Sequence, residues 1–328
     1  VDPSQVSFSG RTQLTKGVTV AQGGDRAIAV DKVQGTIRAS KAKAAGSLAS
    51  AAPVVTGMPD VVAVVGKDGA IHAASATSKS LVSLEADDKG WKEATNTSLT
   101  LTSGTDLAIT AVGDKPVVLE RSTGILHLPE GKTVNLGAAG LALQQPGPEA
   151  DSVLVASRNE LISVPLDGGK VTKTPSAKED PAPEGVAAQP VRLGKCVYAA
   201  WSGSGQFVRS CSGLFGGTDT IHDDKLASSS APIFRVNRDA IVLNDLESGS
   251  VWLPNNDLVL IDDWTDKTAQ TDDNANQKDD SANTSESQTP PERTEENHAP
   301  KAVDDSFGVR PGRSALLPVL ANDSDPDG

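Results

Sequence analysis

The chain has 328 residues and a formal net charge of −13. Its cations are scattered rather than clustered, so a nucleic-acid backbone is excluded as a partner. Aromatic residues make up only 3%, so a core must be assembled from many aliphatic contacts between sheets rather than from a few large rings. No apolar run approaches the roughly 18 to 20 residues that cross a bilayer as a helix, and Val1-Asp2-Pro3 has neither the basic start nor the apolar stretch of a signal peptide. With no initiator Met and an abrupt stop at Asp327-Gly328, the sequence reads as a segment of something longer.

One phrase recurs along the chain: a β-rich run, a polar turn with Gly or Asp-Gly, and a second β-rich run. Val1 to Val20 reads as the tail of such a unit, with strands at Val6-Ser7-Phe8 and Val18-Thr19-Val20. The next unit occupies residues 23–52. Its stretch Ala39–Ala52 (ASKAKAAGSLASAA) is expected to be a loop or outer strand, because Gly46 interrupts it and no apolar stripe forms. Residues 53–88 hold the clearest copy. Asp68-Gly69 marks a hairpin turn, since Gly takes the positive φ such turns demand, and Ser80–Leu84 follows as a further strand. Residues 104–137 repeat it around Ser122-Thr123-Gly124, with an outer strand over Thr133–Leu136. Residues 150–174 repeat it with turns at Arg158-Asn159 and Asp167-Gly168-Gly169.

A proline-rich connector (178–183) leads to the unit that carries Cys196 and Cys211. Cys196 falls in a strand-like run from Val191 to Trp201, and Cys211 ends the run from Gln206. Counting outward from a Gly203-Ser204 turn sets the two cysteines opposite each other, within disulfide reach. A disulfide there implies an oxidising, extracytoplasmic setting. The last copy runs over residues 231–264, with a turn at Glu247–Ser250 and a final strand at Leu258–Ile261.

The units recur at roughly 35 to 46 residues, which is the length of a four-stranded propeller blade. Near-continuous apolar runs such as Val61-Val62-Ala63-Val64-Val65 fit strands buried on both faces. The expected fold is therefore an all-β propeller of about six to seven blades over residues 1–264, a seventh being completed by residues preceding Val1. A β-sandwich is the competing fold. It has regular short strands but no higher-order period.

After Trp264 the composition shifts. Residues 265–298 carry nine acidic and three basic residues with almost no aliphatic side chain beyond Ala, the profile of a disordered acidic linker. Order is expected to resume at Ala299, within the motif Asn297-His298-Ala299-Pro300-Lys301-Ala302-Val303-Asp304-Asp305, and residues 299–328 close on Val319-Leu320-Ala321-Asn322-Asp323-Ser324-Asp325-Pro326-Asp327-Gly328. These two motifs resemble the first third of a bacterial Ig-like or cadherin-like tandem repeat. The whole arrangement is similar to actinobacterial membrane-anchored surface proteins in which a propeller-like region precedes Ig-like or fibronectin type III-like repeats. That resemblance implies a truncated Ig-like β-sandwich at the end of this chain, a cell-surface location, and membrane attachment only through a segment outside it.

Asp323, Asp325 and Asp327 are a candidate Ca²⁺ set, since a hard cation takes clustered carboxylates, and such ions stiffen junctions in cadherin-like arrays. The same residues also form an ordinary turn, which the misplaced Gly and missing distal Glu of a calcium loop favour. No other cofactor is expected. His72, His127, His222 and His298 lack metal-ligand spacing, and His222-Asp223-Asp224 lies between loop-like flanks, as a solvated turn would. Trp91, Trp201, Trp252 and Trp264 read as inter-blade packing more readily than as a sugar-stacking face. With no nucleophile elbow, zinc-helix or phosphate loop in sight, the expectation is a surface module that is not an enzyme. It would serve adhesion, scaffolding or envelope interaction, with an envelope or extracellular protein or glycan as its unknown partner. The alternatives are a propeller that binds glycan or peptide as a sensor or enzyme of the cell envelope, and a purely structural spacer.

Overall fold

The computed structural model describes residues 17–87, 90–102, 104–137, 140–213, 216–262 and 301–303. The chain divides into two compact units, Val1–Leu260 and Ile261–Gly328, and the architecture below is that of the first. The linker and the Ig-like segment expected over 265–298 and 299–328, including Asp323, Asp325 and Asp327, lie outside the described residues apart from 301–303.

Six antiparallel sheets of four or five strands follow one another in chain order, and a small two-stranded hairpin, Ala86–Asp87 with Gly90–Trp91, interrupts the second before its outer strand. The first contains Val18–Gly23, Arg26–Asp31, Thr36–Lys41 and Pro53–Val55; the second Val62–Val65, Ile71–Ser75, Ser80–Leu84 and Thr95–Ser98. The third contains Leu107–Val112, Lys115–Glu120, Ile125–His127 and Thr133–Asn135, and the fourth Ala142–Leu143, Ser152–Ala156, Glu160–Pro165 and Thr172–Pro175. In the fifth, Val186–Ala187 and Val191–Leu193 both pair with Cys196–Ser202, which continues to Gln206–Cys211 and Gly217–His222. The sixth holds Pro232–Asn237, Ala240–Asp245, Val251–Leu253 and Val259–Ile261. First strands thus recur at about 35 to 46 residues, as one blade per repeat requires.

The sheets stack face to face, and each seam is a hydrophobic cluster shared by two neighbours. Ile28, Val30 and Ile37 meet Val65 and Ile71 between sheets one and two. Ala74 meets Leu107 and Val118 between two and three. Leu119 and Leu126 meet Val153 and Ile162 between three and four. Leu154 and Leu161 meet Trp201 and Val208 between four and five. Tyr198 and Phe207 meet Phe234 and Trp252 between five and six. A strand caught between two seams is buried on both sides, which is why all five residues of Ile71–Ser75 are buried and why strict alternation is blurred. Successive seams rule out two layered sheets. The fold is a β-propeller with six blade-sized sheets described.

The turns at Asp68-Gly69, Ser122–Gly124 and Glu247–Ser250 fall between strands as expected, and Ser80–Leu84 is a strand. Three local expectations need correction. The stretch Ala39–Ala52 finishes a strand and then forms a 3-10 segment, Ala42–Ser47. That segment delivers Leu48, 2% exposed, onto Ala27 and Ala29. The run Val191–Trp201 is two strands, not one. Gly194 at φ +57° turns the chain inside what looks like continuous β-sequence. The flanks of His222 are a strand, Gly217–His222, and a short α-helix, Asp224–Ser228, rather than loops.

Candidate functional site

The first strand of each sheet has a strand partner on only one edge, although the end of the third also bridges to Gly147, whose N–H donates to the Ala111 carbonyl (3.1 Å). Val18–Gly23 pairs with Arg26–Asp31, Val62–Val65 with Ile71–Ser75, and Leu107–Val112 with Lys115–Glu120. These first strands lie side by side, and the third also meets Ala142–Leu143. Their second edges therefore face a shared axial space. A cavity of about 260 Å³ there is lined by Thr19, Val62, Ala63, Leu107 and Ile109, with Gln189 reaching in from the fifth sheet. Its mouth lies where first strands begin and second strands end. Lys32 and Arg121 each follow a second strand there, and Asp106 precedes a first strand. All three are exposed, and Arg121 Nε stands 3.5 Å from Asp106.

Two glutamines hold the far side of this channel. The Gln145 amide side chain donates to the Phe234 carbonyl (2.9 Å), its backbone N–H donates to the Pro190 carbonyl (2.9 Å), and Gln189 donates to the Leu143 carbonyl (3.1 Å). Sheets four, five and six are tied by backbone acceptors that would otherwise be buried without partners. At the opposite end the turns pack backbone to backbone. Gly24 has φ +53°, and a Cβ there would sit 2.6 Å from the Lys67 carbonyl oxygen, so only glycine allows the first two sheets to close up.

Histidines and carboxylates converge elsewhere, between sheets two and three. Glu120 has no exposed surface. It accepts from His127 Nε2 (2.8 Å), from the Thr102 backbone N–H (3.1 Å) and from Thr123 Oγ1 (3.2 Å). Burial pushes its carboxyl up, but the bonds from His127 and Thr102 outweigh burial and hold it below the usual glutamate range. On the facing sheet His72 is 3% exposed, with Nδ1 2.8 Å from Ser83 Oγ. Burial lowers it to about 4, against small opposing contributions from the Asp114 backbone and Glu85.

Both shifts make the fold acid-labile. The unfolded chain protonates His72 as pH falls through 6.5 while the folded chain waits until about 4. Its contribution is thus complete above the unfolded value and disappears across that window, on the order of 3 kcal/mol. Glu120, depressed in the folded state, adds stability that is likewise lost as pH falls. Urea midpoints are therefore expected to drop between pH 7.5 and pH 4.5, and His72→Gln is expected to flatten much of that slope.

His222 Nε2 lies 3.1 Å from Asp224 Oδ1 with both side chains open to solvent, as the solvated reading anticipates. Asp223 is structural. It caps the short helix through Leu226 N–H (2.7 Å) and accepts from Trp252 Nε1 (3.2 Å). Trp201 and Trp252 are fully buried in seams, and Trp91 lies under the Arg26 guanidinium at 4.6 Å. Trp264 lies outside the described residues. Cys196 and Cys211 are bonded, directly opposite in register, with Cα atoms 4.0 Å apart. Among the described residues, no group of three or more His, Cys, Asp or Glu is placed to hold a metal, and no helix is long and apolar enough to cross a membrane.

Glu120–His127 is the feature that sequence reasoning missed. The signal is the Ser122-Thr123-Gly124 turn. In the register that it sets, Glu120 faces Ile125, and His127 is its diagonal neighbour on the same face.

No family model and no curated protein matches the chain. Among solved structures it is similar to a catalytically inactive virginiamycin B lyase from Staphylococcus aureus with quinupristin. That likeness has a TM-score of 0.51 and 9% identity, over 76% of this chain and 86% of that one. It is also similar to AztD from Citrobacter koseri (TM-score 0.48, 14% identity, 75% and 69% covered) and to BamB from Moraxella catarrhalis (0.36, 14%, 71% and 67%). The likeness to the lyase carries the fold alone. It corrects one expectation. This propeller is shared with an enzyme, so missing motifs do not suffice to exclude catalysis, and the expectation of a chain that is not an enzyme does not stand.

Proposed function

We propose that the protein is an extracytoplasmic propeller that captures an extended acidic peptide segment of an envelope or extracellular protein at its channel mouth. The observation that carries this reading is the pairing of unpartnered strand edges with two exposed cations. Val18–Gly23, Val62–Val65 and residues 107–110, ahead of the bridge from Val112 to Gly147, turn backbone edges without a strand partner toward the channel, and such edges take up an added strand. Lys32 and Arg121 above them outnumber Asp106, in a chain that is otherwise acidic. A glycan is the less favoured occupant, because none of Trp91, Trp201 and Trp252 offers a free stacking face. The Cys196–Cys211 disulfide supports an oxidising compartment. A surface array with an Ig-like stalk, anchored through a segment outside this chain, is the setting that the sequence resemblance implies.

The test is a titration of a fluorescein-labelled, aspartate-rich peptide against the oxidised protein. Saturable binding that weakens with added salt is expected. Lys32→Glu with Arg121→Glu is expected to weaken it about tenfold, since exposed charges are each worth up to about 1 kcal/mol. Binding indifferent to both substitutions would remove the channel mouth as the site.

A further inference from the structure

We propose that the cleft between the second and third sheets is an acid–base site, in which His127 activates water against an acyl ester. The proposal is independent of peptide capture at the channel. His127 lines a cleft of about 260 Å³ together with Leu81, Leu99, Pro116 and Ser98. Its Nε2 donates to the buried Glu120, which leaves the lone pair on Nδ1. Nδ1 has no hydrogen-bond partner among the described residues and is not shut off from solvent. A buried carboxylate that fixes the tautomer of an imidazole and steadies its protonated form is the arrangement of a working general base. The leucines and proline give apolar surface for a short acyl chain, and Ser83, Thr97 and Ser98, from the same two stretches of chain as the leucines, add hydroxyls to the lining.

The other histidine in this seam is unsuited to the role. His72 is desolvated, hydrogen-bonded to Ser83, and has no carboxylate bonded behind it. The charged groups around His127 are Glu120 and, at the rim, Glu130 and Lys132, which bond each other at 3.0 Å. The second sheet contributes no charged group to the lining.

In the step itself, the water oxygen bonds to the acyl carbonyl carbon as His127 Nδ1 takes a water proton. The tetrahedral intermediate collapses with cleavage of the carbon–oxygen bond to the alcohol. Nδ1 returns its proton to the departing oxygen, giving one carboxylic acid and one alcohol. Glu120 stays ionised throughout and acts as a positioning residue.

The experiment measures kcat and KM for hydrolysis of p-nitrophenyl acetate and butyrate by the full chain. Many turnovers per chain are expected. His127→Gln is expected to lose at least about 100-fold, the usual worth of a general base. Glu120→Gln is expected to lower kcat with KM nearly unchanged, because the imidazole loses the partner that holds it in place while the cleft walls stay as they are. Ser98→Trp, an exposed rim position, is expected to block the cleft and abolish turnover while leaving thermal unfolding unchanged. No turnover above buffer, or turnover that survives both His127→Gln and Ser98→Trp, overturns the proposal.

Discussion

Trp201→Ala is expected to destabilise the protein by about 3 to 5 kcal/mol, the range for deleting a buried aromatic side chain. Trp201 has no exposed surface. It packs against Leu154, Ala156, Leu161, Ala199 and Val208, which are all aliphatic and mostly small. None of these neighbours is long enough to fill the space an indole leaves, so the cavity persists rather than collapses. The indole Nε1 also donates to the Ser157 carbonyl at 2.7 Å across the seam, and alanine leaves that acceptor without its partner. Trp201→Phe restores most of the volume but not the donor, so it is expected to recover roughly half the loss. Urea unfolding at pH 7.5 measures both. A Trp201→Ala cost under about 1 kcal/mol would mean that this seam does not hold sheets four and five together.

Removing the disulfide, by reductant or as Cys196→Ser with Cys211→Ser, is expected to cost about 2 to 3 kcal/mol. The bridge spans a sequence separation of 15 residues, for which chain-entropy reasoning gives about 3 kcal/mol. The hairpin is already fixed by a full ladder from Cys196↔Cys211 to Trp201↔Gln206, so the native geometry should survive reduction. The loss should appear as a lower unfolding midpoint with an unchanged β-sheet circular dichroism spectrum. Identical midpoints with and without reductant would contradict a stabilising role. They would also remove the main reason for placing the protein in an oxidising compartment.

The blade pattern was legible because each unit carries its own local signal. Asp68-Gly69 and Ser122–Gly124 are turns that few residue types can make, and they fall where strands must reverse. The cysteine pairing was legible for the same reason, since a central turn sets the register of everything beyond it. Local signals failed where a tertiary partner decides the outcome. Gly194-Lys195 turns the chain in the middle of an apolar run because the paired strand doubles back over it. Gly217–His222 looks like loop sequence but is drawn into the sheet by the ladder from Gln206–Cys211. The candidate sites were less legible than the fold. Thr19, Val62, Leu107 and Gln189 line one channel although they come from four different sheets, and no spacing in the sequence links them. Glu120–His127 was within reach of sequence reasoning, because seven residues around a hairpin set two polar side chains on one face. Its burial was not, because that depends on Thr102 and the neighbouring sheet closing over it.

The most direct check on capture at the channel is to read the acidic-peptide titration by hydrogen exchange. Added peptide is expected to slow exchange at Val18–Gly23, Val62–Val65 and residues 107–110, whose second edges line the channel, and to leave Thr133–Asn135 and Thr172–Pro175 unchanged. Protection confined to those outer strands, with the inner strands unaffected at saturating peptide, would contradict it.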